Sequence, residues 1–396
     1  MLSSKSMMMR RNNSPDPFDN FQDLNGPLSV YIHIPFCLRK CPYCAFYSIS
    51  PSGKDIEKYL HSLEREMEWW RAKWGRPFPE VKTLYLGGGT PSFLTLEHWQ
   101  IIKDMINKHF TFSDEAEISV EANPDSLTSR HLVFWKGMGV SRVSLGIQSL
   151  LDEELQTLQR PYSRKEALRA LELVKGSGLH LSADLMFAFP GHNLRSWHYT
   201  LHELVHNFIP RHISAYQLVL EPSTPWEGMS PSSLPDGYPL YRFTQWYLGR
   251  KGYDQYEISS FAREGNYCTH NLAYWNQDDV LGLGPSAWGY LNGTRYQNCR
   301  ELGSYITAMT AEESPVIYTE HFTGSGKARE AAVLALRTKW GFSPDLFSRL
   351  YGKELLEEIL NDLREVPPEL LHITPEGVSL TGKGMRVGNA IWEKII

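Results

Sequence analysis

Three cysteines lie close together near the start of the chain. They are Cys37, Cys41 and Cys44, with the spacing C-x3-C-x2-C. Three thiolates on one short loop can hold three irons of a cubane 4Fe–4S cluster, because soft sulfur ligands favour iron–sulfur sites over hard metal ions. No fourth cysteine follows nearby, so the spacing predicts a cluster with one iron left open to a chelating ligand.

Other uses of these thiols remain as alternatives. A structural zinc site needs four ligands, and His33 is a candidate for the fourth, although it falls on the strand predicted before the loop. An electron-carrying cluster with four cysteines would recruit Cys268 or Cys299 from far along the chain. Three buried thiols without any metal are a third alternative.

The elements that would position this loop alternate between strands and helices. Apolar runs predict six strands, at 28–34, 81–86, 117–121, 142–147, 179–187 and 212–220. Helical periodicity predicts the intervening helices at 55–74, 96–110, 127–136 (with Ser126 as its N-cap), 164–177 and 196–207. Such alternation predicts an α/β fold with a parallel sheet and right-handed crossovers, here a partial (β/α)6 barrel.

Polar residues follow the ends of several of these strands. The segment 87–90 is Gly-Gly-Gly-Thr, Glu121 ends the third strand, and Gln148 follows the fourth, with Arg160 beyond it. Asp184 lies inside the apolar fifth strand, where a charge is costly unless it is paired. Chemistry on such barrels is located at the carboxyl ends of the strands. These side chains are therefore predicted to contact a polar ligand there. The alternative for each residue considered alone is a structural role, as a turn glycine or a surface acid.

The triad, with Tyr31 and the segment His33-Ile-Pro35-Phe before it, resembles the radical S-adenosylmethionine (SAM) superfamily. More narrowly, residues 28–396 are similar to the branch that contains oxygen-independent coproporphyrinogen III oxidase and the HemW family of heme chaperones. The resemblance implies a 4Fe–4S cluster whose open iron binds the amino and carboxylate groups of SAM. It also implies SAM contacts from Tyr31, Tyr43, Gly88, Gly89, Thr90, Glu121, Gln148, Arg160 and Asp184.

Three features favour the HemW side of this branch. The oxidases have a fourth cysteine two positions after the third, where this chain has Phe46, and they have a longer amino-terminal segment. The pattern His270-Asn-x-x-Tyr274-Trp275 resembles a motif linked to heme handling in HemW proteins, which implies His270 as a heme ligand, with Cys268 as the alternative. Trp288 departs from the family, because related chains often have a histidine there.

The resemblance implies a heme chaperone that binds heme and transfers it to an unidentified acceptor protein, with an electron donor such as flavodoxin or ferredoxin. The alternative is an enzyme, either an oxygen-independent coproporphyrinogen III oxidase or another radical SAM enzyme that modifies tetrapyrroles. A plain electron carrier that never uses SAM is the third hypothesis.

Composition and length predict the organisation of the chain. We expect a flexible arm at 1–27, the barrel at 28–240, an accessory segment at 241–326 and a small winged-helix-like α+β module at 327–396.

The formal net charge of −5 gives no electrostatic argument for a nucleic-acid partner, and no apolar run is long enough to span a bilayer. The odd cysteine count indicates a reducing compartment, so we expect a cytoplasmic protein, with a mitochondrial address as the alternative.

Overall fold

A computed structural model of the chain describes residues 26–222 and 224–396. The flexible arm predicted at 1–27 therefore lies outside the described residues, apart from its last two. Within the described parts, no helix is both long enough and apolar enough to cross a membrane.

Six parallel strands lie side by side in chain order and form the central part of one sheet. They are β1 (Leu28–Ile34), β2 (Val81–Gly88), β3 (Phe112–Ala122), β4 (Arg142–Gln148), β5 (His180–Phe187) and β6 (His212–Gln217). The connecting helices are α1 (Asp55–Trp74), α2 (Leu96–His109), α3 (Ser129–Gly137), α4 (Asp152–Thr157), α5 (Arg164–Ser177) and α6 (Leu194–Glu203), which continues as a π-helical turn (Leu204–Phe208). The predicted α/β class with six strand–helix units is confirmed.

The segment after the sixth strand extends this sheet at both edges. Next to β6 lie β8 (Ser260–Ala262) and β7 (Asp254–Gln255), and next to β1 lies β9 (Val280–Leu283), followed by β10 (Trp288–Leu291), β11 (Thr294–Asn298) and β12 (Val316–His321). Three helices belong to the same segment, namely α7 (Gly237–Arg250), α8 (Thr269–Trp275) and α9 (Leu302–Thr310). Strand β9 runs parallel to β1, whereas β8 runs antiparallel to β6.

The last part of the chain packs around a second group of buried apolar side chains, which runs from Ala328 to Ile395. Its elements are α10 (Gly324–Ala335), α11 (Pro344–Tyr351), α12 (Lys353–Arg364), β13 (Leu371–Ile373), β14 (Val378–Leu380), α13 (Gly382–Met385) and α14 (Gly388–Ile395). Helices with one small antiparallel hairpin form the small α+β module that the sequence predicted at the carboxyl terminus.

Helix α1 illustrates why the periodic segments were predictable. Its residues Leu60, Leu63, Met67 and Trp70 recur at helical spacing and are all buried against the sheet. Burying each such side chain stabilises the fold by about 1.5–3 kcal/mol. The helix ends at Gly75, whose φ of 64° lets the chain leave in the left-handed conformation.

Some predicted boundaries are wrong. Helix α3 was predicted to begin at Leu127 with Ser126 as its N-cap. Thr128 is the N-cap instead, because its hydroxyl accepts from the amide of His131, whereas the Ser126 hydroxyl pairs with that of Ser92 at 2.7 Å. Strand β6 ends at Gln217 rather than at 220, and the short helix α4 was not predicted.

Candidate cluster and cofactor site

The three clustered cysteines lie on the loop that leaves the carboxyl end of β1. Cys41 is buried, Cys37 and Cys44 are half-buried, and all three are free thiols. Two backbone bonds close the loop, from the Cys37 amide to the Ile49 carbonyl (3.0 Å) and from the Ile49 amide to the Pro35 carbonyl (2.8 Å). Burial raises the pKa of Cys37 and raises that of Cys44 to about 11. A bound cation would hold these sulfurs as thiolates, which fits a site for iron.

The geometry argues against a zinc site that uses His33 and against Cys268 as a fourth cluster ligand. Both ring nitrogens of His33 are engaged, Nδ1 with the Tyr31 hydroxyl (3.0 Å) and Nε2 with the Tyr47 carbonyl (2.8 Å), so this imidazole has no lone pair aimed at zinc. Cys268 lies near the amino ends of the strands, with its Sγ 3.7 Å from Glu117 Oε1. It is therefore far from the loop and does not complete a set of four thiolates.

A chain of polar side chains joins two of the three cysteines. The Thr90 hydroxyl donates to Cys37 Sγ (3.3 Å), and Arg160 Nη1 donates to Cys41 Sγ (3.2 Å). Asn123 connects these two donors, because its Nδ2 donates to Thr90 Oγ1 (3.0 Å) and its Oδ1 accepts from Arg160 Nη2 (2.8 Å). Residues that follow β2 and β3 thus meet Arg160, from the loop between α4 and α5, at the sulfurs.

Asn123 is not among the site residues predicted from the sequence. A signal was present in the sequence. An amide directly after a barrel strand occupies the same kind of position as Thr90 and Gln148, which were selected on that ground. Gly146 faces the same point, because a Cβ there would lie 2.8 Å from Asn123 Oδ1.

The glycine segment after β2 serves the protein's own packing. A Cβ on Gly89 would lie 2.6 Å from the Phe36 carbonyl oxygen, and one on Gly88 would lie 2.5 Å from the His33 ring. Gly88 also has a φ of 108°, which side chains other than hydrogen rarely allow. The amides of Gly88, Gly89 and Thr90 donate to Glu121 Oε2, Ile34 O and Phe36 O respectively. These glycines therefore bring the segment close to the cysteine loop.

Arg160 is fully engaged inside the protein. Besides Cys41 and Asn123, its guanidinium contacts the Tyr43 hydroxyl (3.3 Å), the Gly146 carbonyl (3.3 Å) and the Tyr162 hydroxyl (2.9 Å). The sequence predicted that this arginine meets a polar ligand, and a guanidinium suits a carboxylate. Any ligand carboxylate would share donors that already hold the cysteine loop in place.

Two carboxyl groups lie in the interior of the partial barrel. Glu121 accepts from the Tyr85 hydroxyl and the Gly88 amide, both at 2.9 Å, and Asp184 Oδ2 accepts from the Ser144 hydroxyl at 2.9 Å. Burial, and then the negative charge of Asp184, raise the pKa of Glu121 to about 7. Burial likewise raises the pKa of Asp184. These two residues provide acceptors at different depths of the barrel interior, and such acceptors suit the hydroxyl groups of a ribose.

The remaining residues predicted to contact SAM lie around the same space. Gln148 ends β4 in the left-handed region, with a φ of 60°, and its Nε2 is 3.3 Å from the position that a Cβ on Gly146 would occupy. Tyr31 lies on β1 with its ring 6.2 Å from that of Tyr85. Tyr43 lies on the cysteine loop beside Trp226, at a ring distance of 5.8 Å.

His270 lies apart from the cysteine loop. Only 1% of it is exposed, its Nδ1 pairs with the Thr83 hydroxyl at 2.8 Å, and its ring stacks on Tyr85. Burial lowers the pKa of His270 to about 3, so the ring is neutral. Its Nε2 is buried and has no hydrogen-bond partner among the described residues. The predicted heme ligand is therefore enclosed on the floor of the barrel and is not open at the surface.

The two aromatic residues of that motif line a small cavity. Tyr274, Trp275 and Trp288 border a cavity of about 280 Å³ between α8, β10 and α10. Trp288, where the family resemblance implied a histidine, is 42% exposed. His270 thus lies on the barrel floor, whereas Tyr274 and Trp275 border this cavity.

Comparisons with known proteins agree with this geometry. The model of the radical SAM superfamily matches residues 31–204, which include the three clustered cysteines and every residue predicted to contact SAM. His270, the predicted heme ligand, lies outside the matched range. Among solved structures, the coproporphyrinogen III oxidase HemN from Escherichia coli aligns with a TM-score of 0.82 at 21% identity, covering 93% of this chain and 90% of that one. That likeness shows the fold.

Similarity to curated proteins identifies one family within this superfamily. The heme chaperone HemW of Bacillus subtilis (strain 168) is 34% identical over 375 residues, which are 92% of this chain and 98% of that protein. HemW of Escherichia coli (strain K12) is 38% identical over 272 residues, which are 66% of this chain and 70% of that protein. Because the first match extends over nearly the full length of both proteins, the chain belongs to the HemW family of radical SAM proteins.

Proposed function

We propose that this chain is a heme chaperone, which binds heme and transfers it to an acceptor protein. The observation that carries the proposal is its similarity to proteins named heme chaperone HemW over 92% of its length. A second observation supports it. Phe46 is 67% exposed at the position where the resembled oxidases have a fourth cysteine, so this chain lacks that feature of the enzymes.

The residues around the cysteine loop fit the cofactors of the superfamily. Cys37, Cys41 and Cys44 would hold a 4Fe–4S cluster and leave one iron open for SAM. When bound, this pair supplies one-electron chemistry at the sulfonium of SAM. We assign the remaining contacts with SAM to Tyr31, Tyr43, Gly88, Gly89, Thr90, Glu121, Gln148, Arg160 and Asp184.

The residues of the chain then orient the nucleotide and exclude water. Glu121 and Asp184 would accept from its hydroxyl groups, while Arg160 would hold a carboxylate beside Cys41. Trp226 covers the cysteine loop, with its amide donating to the Pro42 carbonyl (3.2 Å) and its ring beside Tyr43. Its neighbours Leu158, Phe189 and Leu218 are buried, so this side of the site is closed by apolar groups.

The outer face of the cysteine loop suits an electron donor. Leu38 and Phe46 are 59% and 67% exposed, and Arg39 and Lys40 beside them are also exposed. An apolar centre with a basic rim favours docking of a small acidic protein, such as flavodoxin or ferredoxin. A cytoplasmic location, where thiols stay reduced, is part of the proposal, and we assign no nucleic-acid partner and no insertion into a membrane.

Heme ligation by His270 stays a prediction with a clear structural requirement. Its free Nε2 faces the closed interior next to Tyr85, so iron could reach it only if α8 moved away from β2. We therefore expect the His270→Ala variant to lose stability, because Thr83 loses its partner and a cavity is left, at a cost of about 2–3 kcal/mol. If His270 is also the iron ligand, the Soret band of the heme complex will change in this variant.

The test of the proposed function is a parallel titration of anaerobically reconstituted protein with heme and with SAM. A chaperone should give a saturable Soret change and should then release heme to an apo-protein that binds it more tightly. Absence of any Soret change would refute the proposal. Conversion of coproporphyrinogen by reduced, SAM-loaded protein would instead identify it as an enzyme.

A further inference from the structure

We propose that a surface groove between α7 and the carboxy-terminal module is the binding site for the heme macrocycle. The inference rests on the proposed heme chaperone function and deepens it by locating the ligand. The groove has a volume of about 830 Å³ and is lined by Tyr238, Arg242, Phe243, Gln245, Trp246 and Arg386. None of these residues was selected from the sequence.

Size separates this groove from the other places considered for heme. Sites for small molecules usually have volumes of about 300–1,000 Å³. The cavity beside Tyr274 and Trp275, at about 280 Å³, falls below that range, and His270 is enclosed by its neighbours. The groove, at about 830 Å³, lies near the top of the range and has room for a macrocycle.

The apolar part of the groove consists of aromatic rings that are left open. Trp246 is 56% exposed and Tyr238 is 44% exposed, and Phe243 lies beside Trp246 at a ring distance of 5.6 Å. Tyr238, Arg242 and Trp246 are spaced four residues apart along α7, so they form one row on its outer face. Flat aromatic surfaces at this spacing suit a flat conjugated ligand.

The polar part of the groove is cationic. Arg242 is exposed, and Arg386 lies 5.8 Å from the centre of the Tyr238 ring. Gln245 holds Arg386 in place, since its Oε1 accepts from Arg386 Nε while its Nε2 donates to the Gly382 carbonyl (3.0 Å) and to Gln255 Oε1 (2.8 Å). No carboxylate lines the groove within the described chain, although the protein carries a net charge of −5.

This arrangement matches the chemistry of heme. Two guanidinium groups can pair with the two propionate carboxylates, and guanidinium–carboxylate pairs are strong because they form two parallel hydrogen bonds. The aromatic row would cover one face of the ring. Recognition then depends on the macrocycle and its carboxylates, so metal-free protoporphyrin should bind in the same groove.

In the experiment, the full chain is titrated with heme, with metal-free protoporphyrin IX, and with the dimethyl ester of each. Soret absorbance and the quenching of tryptophan fluorescence measure binding. The groove variants are Arg242→Glu and Trp246→Ala, both at exposed positions. Their matched controls are Arg130→Glu on the outer face of α3 and Trp288→Ala at the smaller cavity, and His270→Ala is measured in parallel. Circular dichroism establishes that each variant is folded.

We expect each groove variant to raise the Kd for heme and for protoporphyrin at least tenfold, and the esters to bind at least tenfold more weakly than the free acids. The Arg130→Glu and Trp288→Ala controls should keep the wild-type Kd. Loss of heme binding in folded His270→Ala together with wild-type binding in both groove variants would place the heme at His270 and overturn the proposal. If wild-type protein binds heme and the groove variants bind it equally well, the groove is not the site, although the chaperone function stands. If wild-type protein binds no heme, both proposals fail.

Discussion

At the scale of single residues, the site depends on donors that reach the cysteine sulfurs from separate strands. Asn123 connects Thr90, which donates to Cys37, with Arg160, which donates to Cys41. The cysteine spacing alone predicted the three sulfurs, because the ligands lie next to one another in sequence. The spacing could not predict this network, because Asn123 bonds to residues that are 33 and 37 positions away in the chain.

Replacing Asn123 with leucine should alter the cluster electronically. The apolar side chain has a similar volume but leaves Thr90 and Arg160 without their connecting amide, so both donors become less well oriented toward sulfur. Hydrogen bonds to cluster sulfurs stabilise the reduced cluster, because it carries more negative charge than the oxidised one. Weakening these bonds should therefore make the midpoint potential more negative. The measurement is an EPR-monitored redox titration of reconstituted protein. The Asn361→Leu control, on the exposed face of α12, should match the wild type, and an unchanged potential in Asn123→Leu would contradict the network.

At the scale of elements, a buried carboxyl group on α1 holds the segment after β9. Glu66 accepts from the Gly284 amide (2.7 Å), the Asn298 side chain (2.6 Å) and the Tyr305 hydroxyl (2.6 Å). It thereby joins α1 to β9, β11 and α9. The helix itself was predictable from its apolar spacing. The partners of Glu66 were not, because they are more than 200 positions away and follow strands whose pairing the sequence did not reveal.

Truncating Glu66 should destabilise the fold strongly. Glu66→Ala leaves three buried donors without an acceptor, each of which costs about 1–3 kcal/mol, so we expect the free energy of unfolding to fall by about 3 kcal/mol or more. Denaturant unfolding followed by circular dichroism measures the loss. The control Glu64→Ala removes a half-buried carboxylate of the same helix, which pairs with Lys108 at the surface, and should cost less than about 1 kcal/mol. Equal losses in the two variants would refute the bridging role.

The same residue should make stability depend on pH. Burial raises the pKa of Glu66 to about 7 in the folded protein, from 4.5 in the unfolded chain. Because the raised pKa means that the folded protein favours the neutral carboxyl group, Glu66 makes its full contribution to the free energy of unfolding below pH 4.5. This contribution declines as pH rises to about 7 and is absent above it. The difference amounts to about 3 kcal/mol. In Glu66→Gln the group cannot ionise, so stability relative to wild type should rise between pH 4.5 and 7, and a constant difference across that range would contradict the assignment.

At the scale of the whole molecule, the sheet has twelve strands in the described part of the chain and extends beyond the six predicted units. Strand β9 covers the β1 edge and β8 covers the β6 edge, so neither barrel edge strand is left unpaired. The sequence predicted the order of the first six strands, because neighbours in the chain pair with one another. It gave no sign that residues 280–283 return beside β1, since that pairing joins segments about 250 positions apart and has no local signal.

Shortening the chain tests this organisation. A chain that ends at residue 240 loses β7–β12 and exposes the edges of β1 and β6, and unpaired edges promote association between molecules. We expect it to aggregate on size-exclusion chromatography. A chain that ends at residue 323 keeps all twelve strands and loses only the module with the second apolar core. It should elute as a folded species, and equal behaviour of the two chains would contradict the view that the accessory segment completes the sheet.

The central claim is that three sulfurs on one loop leave an iron open to SAM beside the barrel interior. The most direct test is the EPR spectrum of the reduced, anaerobically reconstituted protein before and after SAM is added, with Cys41→Ala as the control that cannot complete the cluster. We predict that the protein contains a 4Fe–4S cluster whose signal shifts when SAM binds, and that the control shows no such signal. A cluster signal that SAM leaves unchanged would contradict the claim.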